Sequence, residues 1–375
     1  MRSADILGLR LRHTGLGRFP FASVAEAVSR LGAVQAQDFA AAKWSLGLRV
    51  RDSTDAGIEK AFNDGAILRV HVMRPTWHLV PPEDIHWLLA LTAPRVKAVL
   101  ASSDRRLGLD KALLAKSSAA IVRALRGRAH LTRQELKRVL LAEGIETNVQ
   151  RLAHIVVHAE LDGLICSGPN RGKQFTYALI DERVAKVKRL GREEALAKLA
   201  LTYYSGHGPA QVKDFAWWSG LGTKDAGLAL DDIRSKLRPV EVGGKTYWQL
   251  AGAGVRAPEP PPALLLSIFD EYTIAYADRG DLGEAGDIER LIARGSAATA
   301  IIVLRGRVAG TWKKIVKKDR LELSLSVFRR LEPDERAALE TQAERYRKFL
   351  GIEAVELVNK NVAGSRPTRK PKPGR

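Results

Sequence analysis

One cysteine, Cys166, stands among the 375 residues of this chain. With no second thiol, an intramolecular disulfide and a cysteine-cluster metal site are both excluded, which fits a reducing cytoplasm. Long hydrophobic runs are also missing. Nothing approaches the roughly 18 uninterrupted apolar residues of a membrane span. Ala263-Leu-Leu-Leu-Ser-Ile-Phe269 is short and reads as a buried strand. Ile6-Leu7-Gly8-Leu9 is cut by Arg10 and Arg12 before an apolar signal-peptide core develops. Nucleotide-cradling and nucleophilic-cysteine signatures are absent, so no cofactor is expected. These absences describe a soluble, cytoplasmic chain.

Acidic residues are scarce. Against 61 Lys and Arg stand 42 Asp and Glu, a net charge of +19 with a pI near 10.1. That excess goes far beyond the needs of solubility and points to a polyanionic partner. The segment 361–375 supplies part of it through Arg366, Arg369, Lys370, Lys372 and Arg375, with no acid. Rich in proline and poor in apolar residues, it is expected to be a disordered basic tail that attracts phosphates by counterion release.

The length allows two to four domains, and periodicity divides the chain. Lys111 to Leu125 has apolar positions at helical spacing. Thr132 and Glu135 form the signature of a capping box opening a second helix, and Asn148 to Leu161 makes a third. Leu164-Ile-Cys166 and Gln174 to Leu179 then flank the turn Gly168-Pro-Asn-Arg-Gly172 as a hairpin. Helix, helix, helix, hairpin is the winged form of the helix-turn-helix. The pattern recurs in Glu193–Tyr204, a helix starting near Pro209, Thr223–Leu237 with Thr223 as its cap, and a hairpin turning at Gly243-Gly244. A looser copy opens the chain, with helices at Ile6–Arg12, Ser23–Leu31 and Ala56–Asn63 and strands at Ile67–Met73 and Thr76–Val80. After Pro258, Pro260, Pro261 and Pro262 the composition turns β-like. Leu264–Phe269, Thr299–Leu304, Arg307–Lys313 and Arg320–Val327 read as strands, Glu332–Phe349 as an amphipathic helix and Ile352–Leu357 as a returning strand.

The expected fold is therefore mainly α with β-hairpin wings: winged helices over 1–100, 101–190 and 191–257, a β-rich α+β or barrel-like domain over 258–360, and the tail. No zipper or dimerisation helix stands out, so a monomer is expected.

Four segments, Leu31-Gly-Ala-Val-Gln-Ala-Gln-Asp38, Arg74-Pro-Thr-Trp-His-Leu-Val80, Phe269-Asp-Glu-Tyr-Thr-Ile-Ala-Tyr-Ala-Asp-Arg279 and Val308-Ala-Gly-Thr-Trp312, resemble in order the bacterial winged-helix DNA glycosylases of the AlkZ/YcaQ type. The resemblance spans nearly the whole chain. It implies three tandem winged helices and a β-rich C-terminal domain forming a basic concave surface for duplex DNA. It also implies excision of alkylated purines, notably N7-alkylguanine, and in some members unhooking of interstrand crosslinks. The Gln-x-Gln form of the family's catalytic motif falls on Gln35 and Gln37.

Such chemistry suits glutamine. A purine alkylated at N7 is cationic and already a good leaving group, so no strong general acid is needed. What remains is to orient water and stabilise the sugar cation with fixed dipoles. A carboxamide can do this but cannot titrate as a base. A neutral lesion such as uracil should be cut poorly. Away from the family frame, Gln35 and Gln37 equally suit capping or bridging of helices.

Other residues carry two readings each. Arg74 and His78 are candidate DNA contacts or supports of the first wing. Arg171, Lys173 and Lys245 are candidate phosphate contacts on the later hairpins, as is the run Lys313–Arg320, or they form a solvated basic face. His154 and His158, at i and i+4, share a helix face that could meet a metal or DNA, but no third ligand is evident and no metal is expected. Asp270 and Glu271, taken as neighbours on a strand, would point to opposite faces and cannot form an acid–base pair. Trp217-Trp218 read as core, with base stacking as the alternative. No lysine stands by a helix–hairpin–helix signature, so hydrolysis without strand cleavage is expected. The competing function is a non-catalytic winged-helix DNA-binding protein such as a transcriptional regulator.

Overall fold

The computed structural model describes residues 3–17, 21–187, 189–254, 257–293, 299–317 and 319–359. The tail expected at 361–375 lies outside them. Three stretches of the chain share one order of elements: a helix, an edge pairing, two helices and a hairpin.

After α1 (Ser3–His13), the first stretch runs α2 (Val24–Leu31), β1 (Val34–Gln35), α3 (Phe39–Gly47), α4 (Asp55–Asn63), β2 (Leu68–His71) and β3 (Trp77–Val80). Its sheet has the order β1-β3-β2. Ser23 caps α2, Asp38 caps α3 and Thr54 caps α4, each side chain accepting a backbone N–H of the first turn. The long helix α5 (Ile85–Arg106) then leads to the second stretch. This comprises α6 (Lys111–Leu125), β4 (Leu131–Thr132), α7 (Arg133–Ala142), α8 (Val149–Leu161), β5 (Ile165–Ser167) and β6 (Thr176–Leu179), with the sheet order β4-β6-β5. The Thr132–Glu135 capping box is present. After α9 (Ile180–Arg183) come α10 (Arg192–His207), α11 (Val212–Ser219), α12 (Thr223–Asp232), β7 (Leu237–Val242) and β8 (Lys245–Leu250). Here a single bridge, Ala210 to Trp248, takes the place of the edge strand. Thr223 does not cap α12; Gly222 holds that position, without a side-chain bond.

The remaining strands curl into one five-stranded sheet of order β13-β12-β11-β10-β9. They are β9 (Ala263–Leu266), β10 (Ile301–Leu304), β11 (Arg307–Val316), β12 (Arg320–Val327) and β13 (Ala354–Asn359), the last pairing in parallel with β12. Helices α13 (Glu271–Ile274), α14 (Ala285–Ala293) and α15 (Pro333–Leu350) accompany it. The whole is an α+β fold.

Two helices escape the periodicity of the sequence. In α3 every residue from Ala41 to Gly47 is buried, so no apolar stripe stands out. Helix α5 is buried over its first half, from Ile85 to Val96, and carries Pro94 inside it. The sheet is not an independent layer. Leu7, Val34, Trp44 and Leu79 share one apolar cluster with Leu265, Trp312, Leu325 and Phe349. Trp44 Nε1 donates to the Leu265 carbonyl at 2.7 Å, which ties α3 to β9. No helix among the described residues is long and apolar enough to cross a membrane.

Candidate active site

Gln35 ends the edge strand β1, and Gln37 follows two residues on, beyond the strand. Ala36 between them is fully buried, Gln35 is half-buried and Gln37 is exposed. Gln35 sits opposite His78 in the register of β1 and β3. The Ala36 N–H donates to the Trp77 carbonyl at 2.7 Å, and the Trp77 N–H reaches Gln37 Oε1 at 3.4 Å. Both glutamines thus border the β3 edge of the first hairpin, Gln35 opposite His78 and Gln37 beside Trp77.

Arg74, at the hairpin's apex, fixes the first of them. Its Nη2 donates to Gln35 Oε1 at 3.0 Å and to His78 Nε2 at 3.3 Å. Its Nη1 donates to the Trp218 carbonyl at 3.0 Å and the Trp217 carbonyl at 3.4 Å. Those carbonyls end α11, where the helix dipole favours a cation. Arg74 is therefore an internal brace joining the hairpin to the third stretch. Burial lowers its pKa, and the Glu271 carboxylate counters that effect.

His78 is locked as a neutral tautomer. Its Nδ1 is 3.0 Å from the Thr76 carbonyl and so must be the donor, which leaves Nε2 to accept from Arg74. Burial first, then the Arg74 charge, hold its pKa well below the ordinary 6.5.

Behind the strand lies Glu271, which is fully buried. Its Oε1 accepts the Gln35 backbone N–H at 3.0 Å, and its Oε2 accepts Trp218 Nε1 at 3.1 Å. His207 Nε2 stands 3.5 Å from Oε2. The neighbouring Asp270 turns elsewhere: it caps α13 and takes a two-pronged pair from Arg49, both contacts 2.8 Å. These residues begin a short helix instead of lying on a strand, and their carboxylates diverge as expected. Gln35 is thereby held from two sides, its backbone by Glu271 and its side chain by Arg74. The Gln35 Oε1 keeps a second lone pair, and its amide N–H groups have no hydrogen-bond partner among the described residues.

Arg69 passes behind the pair. Its Nε donates to the Ala36 carbonyl at 3.0 Å, and its guanidinium stacks between Trp77 (4.1 Å) and Phe175 (4.6 Å). Burial brings it down to about 10. Arg69 does not stand out in the sequence, whereas Glu271 stands out only as the neighbour of Asp270 within the Phe269–Arg279 segment.

The other candidates lie apart from the glutamines. Arg171 pairs with Glu135 at 2.8 Å and donates to the His130 carbonyl. Lys245 pairs with Asp278 at 2.9 Å. Lys173 is exposed at the rim of a groove of about 390 Å³ lined also by Trp77, Arg133 and Gln134. His154 and His158 do not face outward; both bond Asp104, at 2.7 and 2.9 Å, and tie α8 to α5. No cluster of three or more metal-ligating side chains occurs among the described residues. The tryptophan pair splits: Trp218 is fully buried, whereas Trp217 is 48% exposed beside the Arg74 anchor.

Comparison with known proteins gives the class, a DNA glycosylase. A family model described as DNA glycosylase AlkZ-like matches residues 28–349, and the chain belongs to that family. It is similar to the interstrand DNA cross-link repair glycosylase of Streptomyces sahachiroi, with 23% identity over 344 residues, covering 88% of this chain and 91% of the relative. The solved structure of Streptomyces sahachiroi DNA glycosylase AlkZ superposes with a TM-score of 0.79 at 21% identity. It covers 96% of this chain and 99% of that one, so the fold is shared.

Proposed function

We propose that this chain hydrolyses the N-glycosidic bond of cationic alkylpurines such as N7-alkylguanine in duplex DNA, with Gln35 and Gln37 orienting water and stabilising the sugar cation. The observation that carries the reading is the Gln35 carboxamide, clamped through its side chain by Arg74 and through its backbone by Glu271, with Gln37 two residues on against the Trp77 N–H. A fixed dipole needs no reorganisation when charge develops on the sugar, which is where such groups accelerate reactions. Interstrand crosslinks are a further candidate substrate, since the Streptomyces relative is named an interstrand DNA cross-link repair glycosylase.

The repeated element order supports reading 1–100, 101–190 and 191–257 as winged helices, followed by the β-rich domain at 258–360. The matching sheet orders of the first two stretches favour it most. The chain acts as a monomer on DNA. Arg171, Lys173 and Lys245 approach the phosphates at the hairpins, while Arg74 and His78 serve the site from within.

The test is release of free base from duplex containing N7-methylguanine, comparing wild type with Gln35→Ala/Gln37→Ala. The double variant should lose about 100- to 1,000-fold in rate, as when fixed dipoles are removed elsewhere, and keep its DNA affinity. Absence of release by wild type, together with preference for one undamaged sequence, would favour the regulator instead.

A further inference from the structure

Of the seven tryptophans in the chain, Trp217 alone is exposed; the others are buried or half-buried. A single exposed aromatic ring is ordinary on a protein surface. What separates this one is its anchoring to the glutamine site. We propose that Trp217 stacks on a nucleobase uncovered in the duplex at the damaged purine. The proposal rests on the glycosylase reading above and adds a residue that holds the interrupted DNA.

Two bonds fix the residue. Its indole N–H donates to the Ile274 carbonyl at 2.9 Å, at the end of α13. That short helix begins with Glu271, which holds the Gln35 N–H. The Trp217 carbonyl accepts from Arg74 Nη1 at 3.4 Å, and the other terminal nitrogen of Arg74 holds Gln35 Oε1. One guanidinium thus separates the Trp217 backbone from the first carboxamide. The next residue, Trp218, is fully buried and donates to Glu271, so the end of α11 is pinned to the same group. With its carbonyl and its indole N–H both engaged, Trp217 exposes ring carbon. A ring held in this way loses little freedom when a base stacks on it.

The charges around the ring suit a nucleic acid. The Arg279 guanidinium lies over it, 6.0 Å from the centroid. Lys213, one helical turn earlier on α11, is exposed. Lys213 and Lys245 share the Asp278 carboxylate at 3.2 and 2.9 Å, so these three side chains together carry a net positive charge. An aromatic face bordered by cations is the combination that binds an unpaired base beside its phosphates.

In an intact duplex the faces of each base are covered by its neighbours. A side chain can stack only where the column is interrupted, as it is once a purine has left. Successive bases stand about 3.4 Å apart along a strand. A ring one guanidinium away from Gln35 is therefore placed for the bases that flank the lesion, and not for a remote part of the duplex.

The experiment uses a duplex carrying a tetrahydrofuran abasic analogue in place of one guanine, with 2-aminopurine as the adjacent base. Full-length wild type, Trp217→Ala and Trp217→Phe are titrated with it and with the fully paired duplex at one salt concentration. Wild type should prefer the abasic duplex and quench the 2-aminopurine. Trp217→Ala should lose roughly 5- to 100-fold in affinity for the abasic duplex, the range of one stacked base, and stay within about twofold on the paired one. Trp217→Phe keeps a ring face without the N–H to Ile274, so it should restore most of the affinity and the quenching. Failure of phenylalanine alongside alanine would assign Trp217 a structural role through Ile274 and overturn the proposal. Equal binding of the two duplexes by wild type, or of the abasic duplex by wild type and Trp217→Ala, overturns it as well. Should the alanine variant fold poorly, Trp217→Leu, apolar without a π face, takes its place. These readouts need no turnover: if wild type releases no methylguanine yet shows the Trp217-dependent quenching, the glycosylase reading fails and the stacking stands.

Discussion

Arg74 and His78 show how the neutral carboxamide of Gln35 is oriented without a titrating partner. The guanidinium spends one nitrogen on Gln35 and His78 and the other on the end of α11, so its charge is used inside the protein. Protonating His78 would place a second N–H against Arg74 where an acceptor is needed. Its folded pKa lies below 6.5, whereas the unfolded chain titrates at its ordinary value. As pH falls through about 6.5 the unfolded state binds the extra proton, and stability is lost until the folded pKa is passed. Above 6.5 the contribution is complete. Between about pH 7 and 5 wild type should therefore lose more melting temperature than His78→Gln, which keeps an acceptor for Arg74 without titrating. Parallel melting curves across that interval would show that His78 is not the buried neutral group described here.

At the scale of elements, the apex of the first hairpin and the end of α11 meet backbone to backbone. Gly220 has φ of +70°, and a Cβ built there would stand 2.0 Å from the Met73 carbonyl oxygen. No flexible side chain can yield to it. Gly220→Ala should cost more than the roughly 1–2 kcal/mol of a left-handed alanine, and by moving residues 73 and 74 it should also slow base release. Gly227 in α12 meets nothing within 4 Å of an added Cβ. Gly227→Ala should stabilise by about 0.5–1 kcal/mol. Urea midpoints that shift in opposite directions would bear this out, and a tolerated Gly220→Ala would refute the contact. Much of this level is legible in the sequence, because capping residues and turn glycines act locally. The Thr132 box, the hairpins and the strands of the C-terminal sheet all announce themselves. The two-residue strand β1 has no pattern of its own and is defined by β3. Helix α3 is buried on all sides, so its periodicity is erased, and Thr223 resembles a cap where Gly222 does the work of entry without a side chain.

Over the whole molecule, the glutamine site depends on contacts that no local pattern can reveal. The bond from the Gln35 N–H to Glu271 spans 236 residues and the Arg49–Asp270 pair spans 221. Adjacent acids look alike in sequence, yet one neutralises a buried arginine and the other holds a backbone amide. The Arg49–Asp270 pair is fully buried, and Arg49 also donates to the Thr14 and Ser45 carbonyls. Burial pushes the Asp270 pKa up, but the Arg49 charge and its hydrogen bonds prevail and hold it below the ordinary carboxylate value. Removing one partner strands the other charge, so Asp270→Ala should cost about 3–5 kcal/mol. Because one apolar cluster joins the first stretch to the five-stranded sheet, that loss should appear in both together. Denaturation followed at Trp44 and Trp312, on the two sides of the cluster, should give coincident transitions that move down equally in the variant. Two separated transitions, with only the Trp312 signal shifted, would mean that the sheet folds on its own and that Gln35 is positioned by its own hairpin alone.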